Sequence, residues 1–176
     1  DILAVVFAAL PAPAAQLIDR YLVACYYANI KPLLILNKAD LLTNPAYTDV
    51  TQLLKDYQAL GYDAIVTQTD GDLSVLKQRL AGKTVIFAGQ SGVGKSSLVN
   101  QLLPLADQSV NVISTLSQLG QHTTTTSRFL AFDRTDLSQG AVIDTPGIRE
   151  YGLWHLTPDD ILQGFIELAP LAPYCR

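Results

Sequence analysis

Gly89-Gln90-Ser91-Gly92-Val93-Gly94-Lys95-Ser96 is the stretch on which the reading of this chain turns. It fits G-x-x-x-x-G-K-[ST], a phosphate-binding loop, and its flanks suit one. Before it, Thr84-Val85-Ile86-Phe87-Ala88 reads as a buried strand; after it, Ser97-Leu98-Val99-Asn100-Gln101-Leu102-Leu103 reads as a helix stopped by Pro104. The glycines let the backbone wrap a polyphosphate with its N–H groups pointing inward, and the helix N-terminus adds roughly half a positive charge. In that role Gly89, Ser91, Gly92, Val93, Gly94, Lys95, Ser96 and Ser97 cradle the phosphates. Lys95 reaches the β- and γ-phosphates, and the Ser96 hydroxyl holds Mg²⁺. The bland alternative is a glycine-rich turn that happens to match; a strand and a helix in the required places argue against it.

The whole chain bounds the rest. Its 176 residues suffice for one domain or slightly more, and 49% hydrophobic residues supply a full core. A net charge of -4 argues against a nucleic-acid surface on this segment itself. Two cysteines, Cys25 and Cys175, make no disulfide framework, and Cys25 sits in an apolar helical run as a packed core thiol. No run of eighteen apolar residues and no signal peptide is present, so neither a membrane span nor a membrane partner is expected. The chain has no initiator Met and opens inside a strand, which reads as a piece of a longer protein.

Strands and helices alternate outward from the loop. Ile2 to Ala9 is a continuous apolar run, as in a parallel sheet covered on both faces. Pro11 and Pro13 break it, and Ala14 to Ala28 is a helix with Leu17, Ile18, Tyr21, Leu22 and Cys25 on one face. Lys31-Pro32 ends that unit, and Leu33 to Leu36 is a second buried strand. Asn44-Pro45 opens a helix over Ala46 to Leu60, closed by Gly61; Ala64 to Thr67 is a third strand, and Leu73 to Leu80 a short helix closed by Gly82. Residues 107–126 are polar and lack a period, as functional or disordered segments do. Arg128 to Phe132 and Ala141 to Ile143 are strands, and Thr157-Pro158 starts a helix that runs to about Leu168. The pattern predicts an α/β fold with a mostly parallel sheet.

Three further motifs fit a nucleotide site. Asn37-Lys38-Ala39-Asp40 fits N-K-x-D at a strand's C-terminal end, where ligands bind in open α/β sheets. Asp40 can accept from two adjacent guanine N–H groups, a pair adenine lacks. The Lys38 stem can lie along the base, and Asn37 can tie neighbouring loops together. Alone the tetrapeptide could be a polar turn; beside a phosphate loop it indicates guanine. Asp144-Thr145-Pro146-Gly147 fits D-x-x-G, with Asp144 on Mg²⁺ through water and the Gly147 N–H at the γ-phosphate, or else a plain Pro-Gly turn. Gly120-Gln121-His122-Thr123-Thr124-Thr125-Thr126 offers hydroxyls for Mg²⁺, with Thr124 the first choice among them; His122 is either functional or an ordinary surface histidine. Thr67 and Gln68 follow the third strand, where many GTPases place Ser-Ala-Lys against guanine, and their backbone can serve there although the side chains differ.

Here N-K-x-D precedes the phosphate loop, whereas Ras-like GTPases have the reverse order. Rotating the chain restores that order, so the sequence looks like a circularly permuted Ras-like GTPase domain with the P-loop NTPase three-layer fold. Gly89 to Leu98, Gly120 to Thr125 and Asp144 to Leu153 resemble the RsgA family (also called YjeQ or EngC), bacterial GTPases of small-ribosomal-subunit biogenesis. The resemblance spans nearly the whole chain; the departures are Gln68-Thr69 and the extra Thr126. It implies a GTPase domain over residues 1–168, the start of a zinc-binding domain over 169–176, and an N-terminal OB-fold outside this chain. It implies a cytoplasmic monomer that binds GTP and GDP with Mg²⁺ and acts on the small ribosomal subunit and its rRNA, mostly through the other domains. Cys175 matches the first cysteine of the family's zinc motif, and the remaining Zn²⁺ ligands are missing here.

Phosphoryl transfer needs positioning and charge stabilisation, which Lys95, the loop amides and Mg²⁺ would supply. Many GTPases orient the attacking water with a glutamine just after D-x-x-G; here that position is Ile148. The family implies that His122 takes over when the subunit is bound, so turnover is expected to be slow alone. The rival readings are a non-catalytic guanine-nucleotide switch and an ATP-using P-loop enzyme, the second opposed by Asn37-Lys38-Ala39-Asp40.

Overall fold

The computed structural model describes residues 1–103, 128–133, 135–144 and 152–174. Strand β1 (Ile2–Ala8) lies inside a six-stranded sheet, and its unbroken apolar run has a direct cause. Side chains alternate across a strand. Ile2, Ala4, Val6 and Ala8 enter one core while Val5, Phe7 and Ala9 enter another on the opposite face. Both faces are covered, so no position on the strand can be polar.

Helix α1 (Ala15–Ala28) leads to β2 (Lys31–Asn37), and α2 (Thr48–Ala59) to β3 (Ala64–Val66). Helix α3 (Ser74–Leu80) leads to β4 (Lys83–Ala88), and α4 (Lys95–Leu102) follows the glycine-rich loop. Beyond lie β5 (Arg128–Ala131), β6 (Gly140–Asp144) and α5 (Pro158–Gly164). The sheet order is β3-β2-β1-β4-β6-β5, parallel except for the antiparallel β5–β6 edge pair. Ile18, Tyr21 and Leu22 of α1 share one core with Val50, Leu54 and Tyr57 of α2. Leu76 and Leu80 of α3 share the other with Leu98 and Leu102 of α4. The result is three layers, α/β/α, as the sequence predicts.

The direction of winding changes between β1 and β4. The chain moves from β1 outward to β2 and β3, then crosses back to pair β4 with the other side of β1. Ligands in open α/β sheets bind outside the carboxyl ends of the strands at such a switch point. The glycine-rich loop leaves β4 there.

Several expectations change in detail. Lys31 and Pro32 do not end the helical unit; they belong to β2, in register with Ile2 and Leu3. The helix stop is Asn29, which takes the left-handed conformation at φ 52°. The helix α4 begins at Lys95 rather than Ser97, because Gly94 at φ 95° turns the chain directly into it. Helix α1 is buried on more than one face: Tyr21 through Cys25 are all buried, since α5 packs over the side that carries Val23. Cys25 is the packed thiol expected, and burial pushes its pKa up to about 12.

Helix α5 stops at Gly164, short of Leu168. Its start is as read: Thr157 caps it, accepting from the Asp160 amide at 3.2 Å, while Asp160 accepts from the Thr157 amide at 2.9 Å. Its end is set by packing. A Cβ on Gly164 would lie 2.7 Å from Cγ1 of Val23. Phe165 then leaves the helical region, and the chain continues in turns. Gly164→Ala should therefore destabilise the fold by about 1–3 kcal/mol through overpacking. Urea unfolding checks this; an unchanged midpoint would remove α5 from its place on α1.

Candidate functional site

Every loop that leaves the carboxyl end of β1, β2, β3 or β4 converges on one edge of the sheet. Asn37, the last residue of β2, stands at the junction and is 0% exposed. Its Nδ2 donates to the Val93 carbonyl at 3.0 Å and reaches Thr69 Oγ1 at 3.5 Å. Its Oδ1 accepts from the Thr67 hydroxyl at 3.0 Å. One carboxamide thus ties the end of β2 to the loop after β3 and to the loop after β4. Both ends of the amide are used, as a buried amide requires.

The backbone closes the same joint. The Thr67 amide donates to the Leu36 carbonyl at 2.9 Å, and the Ala39 amide to the Thr67 carbonyl at 3.1 Å. Lys38 sits in the left-handed region at φ 61°, and its ammonium donates to the Leu10 carbonyl at 2.8 Å, spanning from the loop after β2 to the loop after β1. Asp40 is exposed beside it at the start of a short 3₁₀ turn, Ala39–Thr43. Gln68 is exposed, and its carbonyl accepts from the Gly71 amide at 3.0 Å.

The glycine-rich loop is held from below. Gly89 takes φ 133°, and a Cβ there would overlap the Val6 carbonyl oxygen, so only glycine lets the loop lie on β1. Gly94 is equally constrained, since a Cβ would overlap Asn37 Nδ2. Val93 is 0% exposed in the core, which pins the loop while Ser91 and Gly92 face outward. The Lys95 ammonium lies over the loop, donating to the Gly89 and Gln90 carbonyls at 2.7 and 2.6 Å. Helix α4 has no side-chain cap. The N–H groups in the first turn of an α-helix have no acceptor within it, and this helix starts directly from the loop at Lys95. Ser96 and Ser97 are exposed in that turn.

Strand β6 brings the last described piece. Ile143 is level with Ile86 of β4, so Asp144, the final residue of β6, is placed at the same edge as the glycine-rich loop. The side chain of Asp144, along with His122, Thr123 to Thr126, Gly147, Ile148 and Cys175, lies outside the described residues.

The profile of the RsgA GTPase family matches residues 1–154. The chain belongs to that family. Two relatives, each named a small ribosomal subunit biogenesis GTPase RsgA, come from Ectopseudomonas mendocina, 51% identical over 178 residues, and Proteus mirabilis, 47% identical over 180 residues. Each alignment covers 100% of this chain but only 51% and 50% of the relative, so the chain spans about half the length of the proteins it matches. Among solved structures, YloQ, described as a circularly permuted GTPase, matches with a TM-score of 0.71 at 28% identity over 100% of this chain and 54% of its own. YjeQ from Thermotoga maritima matches with a TM-score of 0.73 at 30% identity over 94% of this chain and 54% of its own.

Membership of this family accounts for the motif order. The permuted order still leaves these motifs at one sheet edge, because strand neighbours, not chain order, set which loops meet. Two partners of the site carry no sequence signal. The Leu10 carbonyl, which receives Lys38, is a backbone group that any residue could offer. The Thr69 hydroxyl belongs to none of the motifs, and only the fold brings it to Asn37.

Asn37→Ala should strand the Thr67 hydroxyl and the Val93 carbonyl inside the protein. Unfolding in urea without nucleotide should show a loss of about 2–3 kcal/mol, the cost of buried polar groups left unpaired. A loss below half a kcal/mol, roughly the noise of such a measurement, would mean the joint is not formed in solution.

Proposed function

We propose that this chain is the guanine-nucleotide unit of a factor in small-ribosomal-subunit biogenesis, converting GTP and water to GDP and phosphate, slowly alone and faster on the subunit. The observation that carries the reading is the Asn37 carboxamide, which joins the guanine-type motif to the glycine-rich loop in one buried joint. In this reading Asp40 accepts from the guanine N–H pair, Lys38 lies along the base, and the backbone at Thr67 and Gln68 meets its edge. The loop amides from Gly89 to Ser97 cradle the phosphates, with Gly147 completing the cradle at the γ-phosphate. A competition titration with GDP and ADP tests base choice: GDP should win by orders of magnitude, and equal displacement by ADP would support an ATP-using enzyme instead.

Mg²⁺ fits the residues at this edge. Ser96 is exposed in the helical turn that follows the phosphate loop, and Asp144 ends the neighbouring strand. The described residues contain no cluster of three His, Cys, Asp or Glu that could hold a metal. Mg²⁺ needs none, because it is normally held by one or two protein oxygens, phosphate oxygens and waters. Ser96, Asp144 and Thr124 are its proposed holders; once bound, the ion neutralises charge on the β- and γ-oxygens. The protein's own part is positive potential where negative charge builds: the Lys95 ammonium and the inward amides are fixed before the reaction begins. Ile148 can orient no water, so His122 is proposed to place it when the subunit is bound.

The finer organisation is also proposed. Residues 1–168 form the GTPase unit and 169–176 begin a zinc-binding domain to which Cys175 contributes, the protein acting as a cytoplasmic monomer that meets rRNA mainly through other domains. No helix among the described residues is long and apolar enough to cross a membrane.

Asp40→Asn should weaken GDP by about 3–5 kcal/mol, a pair of charge-assisted bonds lost, and favour xanthosine diphosphate. Calorimetric titration reads this, and undiminished GDP affinity would take Asp40 off the base. His122→Ala should leave GTP affinity nearly unchanged. Intrinsic turnover should stay slow, on the order of 10⁻⁴ to 10⁻² per second, and most stimulation by small subunits should vanish. Single-turnover hydrolysis at saturating subunits, with subunit binding checked separately, makes the comparison. Equal stimulated rates would return His122 to an ordinary surface residue, whereas a parent that hydrolyses nothing with subunits present would favour the non-catalytic switch.

A further inference from the structure

Helix α1 passes behind the glycine-rich loop, and a cavity of about 10 Å³ lies between them. Its walls are apolar side chains of β1 and α1, together with Tyr21, Gly89 and Gln90. Tyr21 is 1% exposed, and its hydroxyl has no hydrogen-bond partner among the described residues. Neither has the buried Oε1 of Gln90. Burial raises the pKa of the Tyr21 hydroxyl, and the nearby Gly89 amide offsets part of the rise without reaching hydrogen-bonding geometry. The two residues that carry these unpaired atoms both line one small space beneath the phosphate loop.

Buried polar groups are nearly always paired, with protein or with ordered water. A purely apolar void of this size stays dry. One with polar partners and room for about one probe sphere holds a water. We infer that a single buried water joins Tyr21 to Gln90 here, and that Tyr21 is a positioning residue for the first turn of the phosphate loop. The Tyr21 hydroxyl donates to the water, and the water donates to Gln90 Oε1. The consequence runs through Gln90 to Lys95, because the Gln90 carbonyl accepts from the Lys95 ammonium at 2.6 Å. Gly89 is already fixed on its other side by the Val6 carbonyl. The water completes the clamp, so the loop is shaped before any phosphate arrives.

The water itself is independent of the proposed function, while its effect on ligand binding rests on that reading. A high-resolution crystal structure of the full chain should show one water within hydrogen-bonding distance of Tyr21 Oη and Gln90 Oε1; a dry cavity overturns the inference. Tyr21→Phe keeps the ring and removes the hydroxyl. GDP should leave the variant roughly three- to tenfold faster, the worth of one hydrogen bond, with KM for GTP raised and kcat unchanged. An equal release rate in a folded variant would leave Tyr21 with no positioning role. Parent protein that fails to bind GDP would sink the nucleotide reading instead, and the crystallographic result would still decide the water.

Discussion

A carboxamide that is fully buried must find its partners within the protein, and Asn37 finds them on two other loops. That requirement sets the geometry of this edge of the sheet. If Thr67 or Val93 moved away by an ångström or two, a donor or acceptor would be left unpaired inside the protein, at a cost comparable to a sizeable share of a domain's stability. The loops after β2, β3 and β4 are therefore locked in one spacing. A nucleotide has a fixed distance between base and phosphates, so a rigid joint between the loops that hold its two ends is the feature a nucleotide site needs most.

Close backbone approach does the rest. Gly89 rests on the Val6 carbonyl and Gly94 on Asn37, and neither leaves room for a side chain. The phosphate loop is thus shaped by what lies beneath it, before charge enters the account. The Lys95 ammonium donates to two carbonyls of the same loop, which hold its charge at the site. A fixed positive potential of this kind costs no reorganisation at the moment of phosphoryl transfer. In the proposed mechanism the water-orienting group is His122, since Ile148 carries no polar group.

Much of this was legible in the residues. The run Ile2 to Ala8 announces a strand covered on both faces, and Gly89 to Ser96 announces a phosphate loop, because both depend on local chemistry that any context must respect. The N-terminal cap of α5 was legible for the same reason, since Thr157 and Asp160 pair within one turn. Its C-terminus was not. Gly164 stops the helix against Val23, a residue 141 positions away in sequence, and no local pattern carries that contact. The burial of Val23 and Ala24 on α1 has the same origin. The Asn37 joint was half legible: its residue type and motif suggested a tie between loops, but Thr69 as a partner follows only from the way β3 ends beside β2.

The account's central claim is that Asn37 holds a guanine pocket and a phosphate cradle as one site. A crystal structure of the protein with GDP and Mg²⁺ tests it most directly. The account predicts the base against Asp40 and Lys38, the phosphates inside the loop from Gly89 to Ser96, and the Asn37 bonds to Val93 and Thr67 unchanged. A nucleotide whose phosphates occupy the loop while its base lies away from Asp40, or a joint that opens to admit it, would contradict the claim.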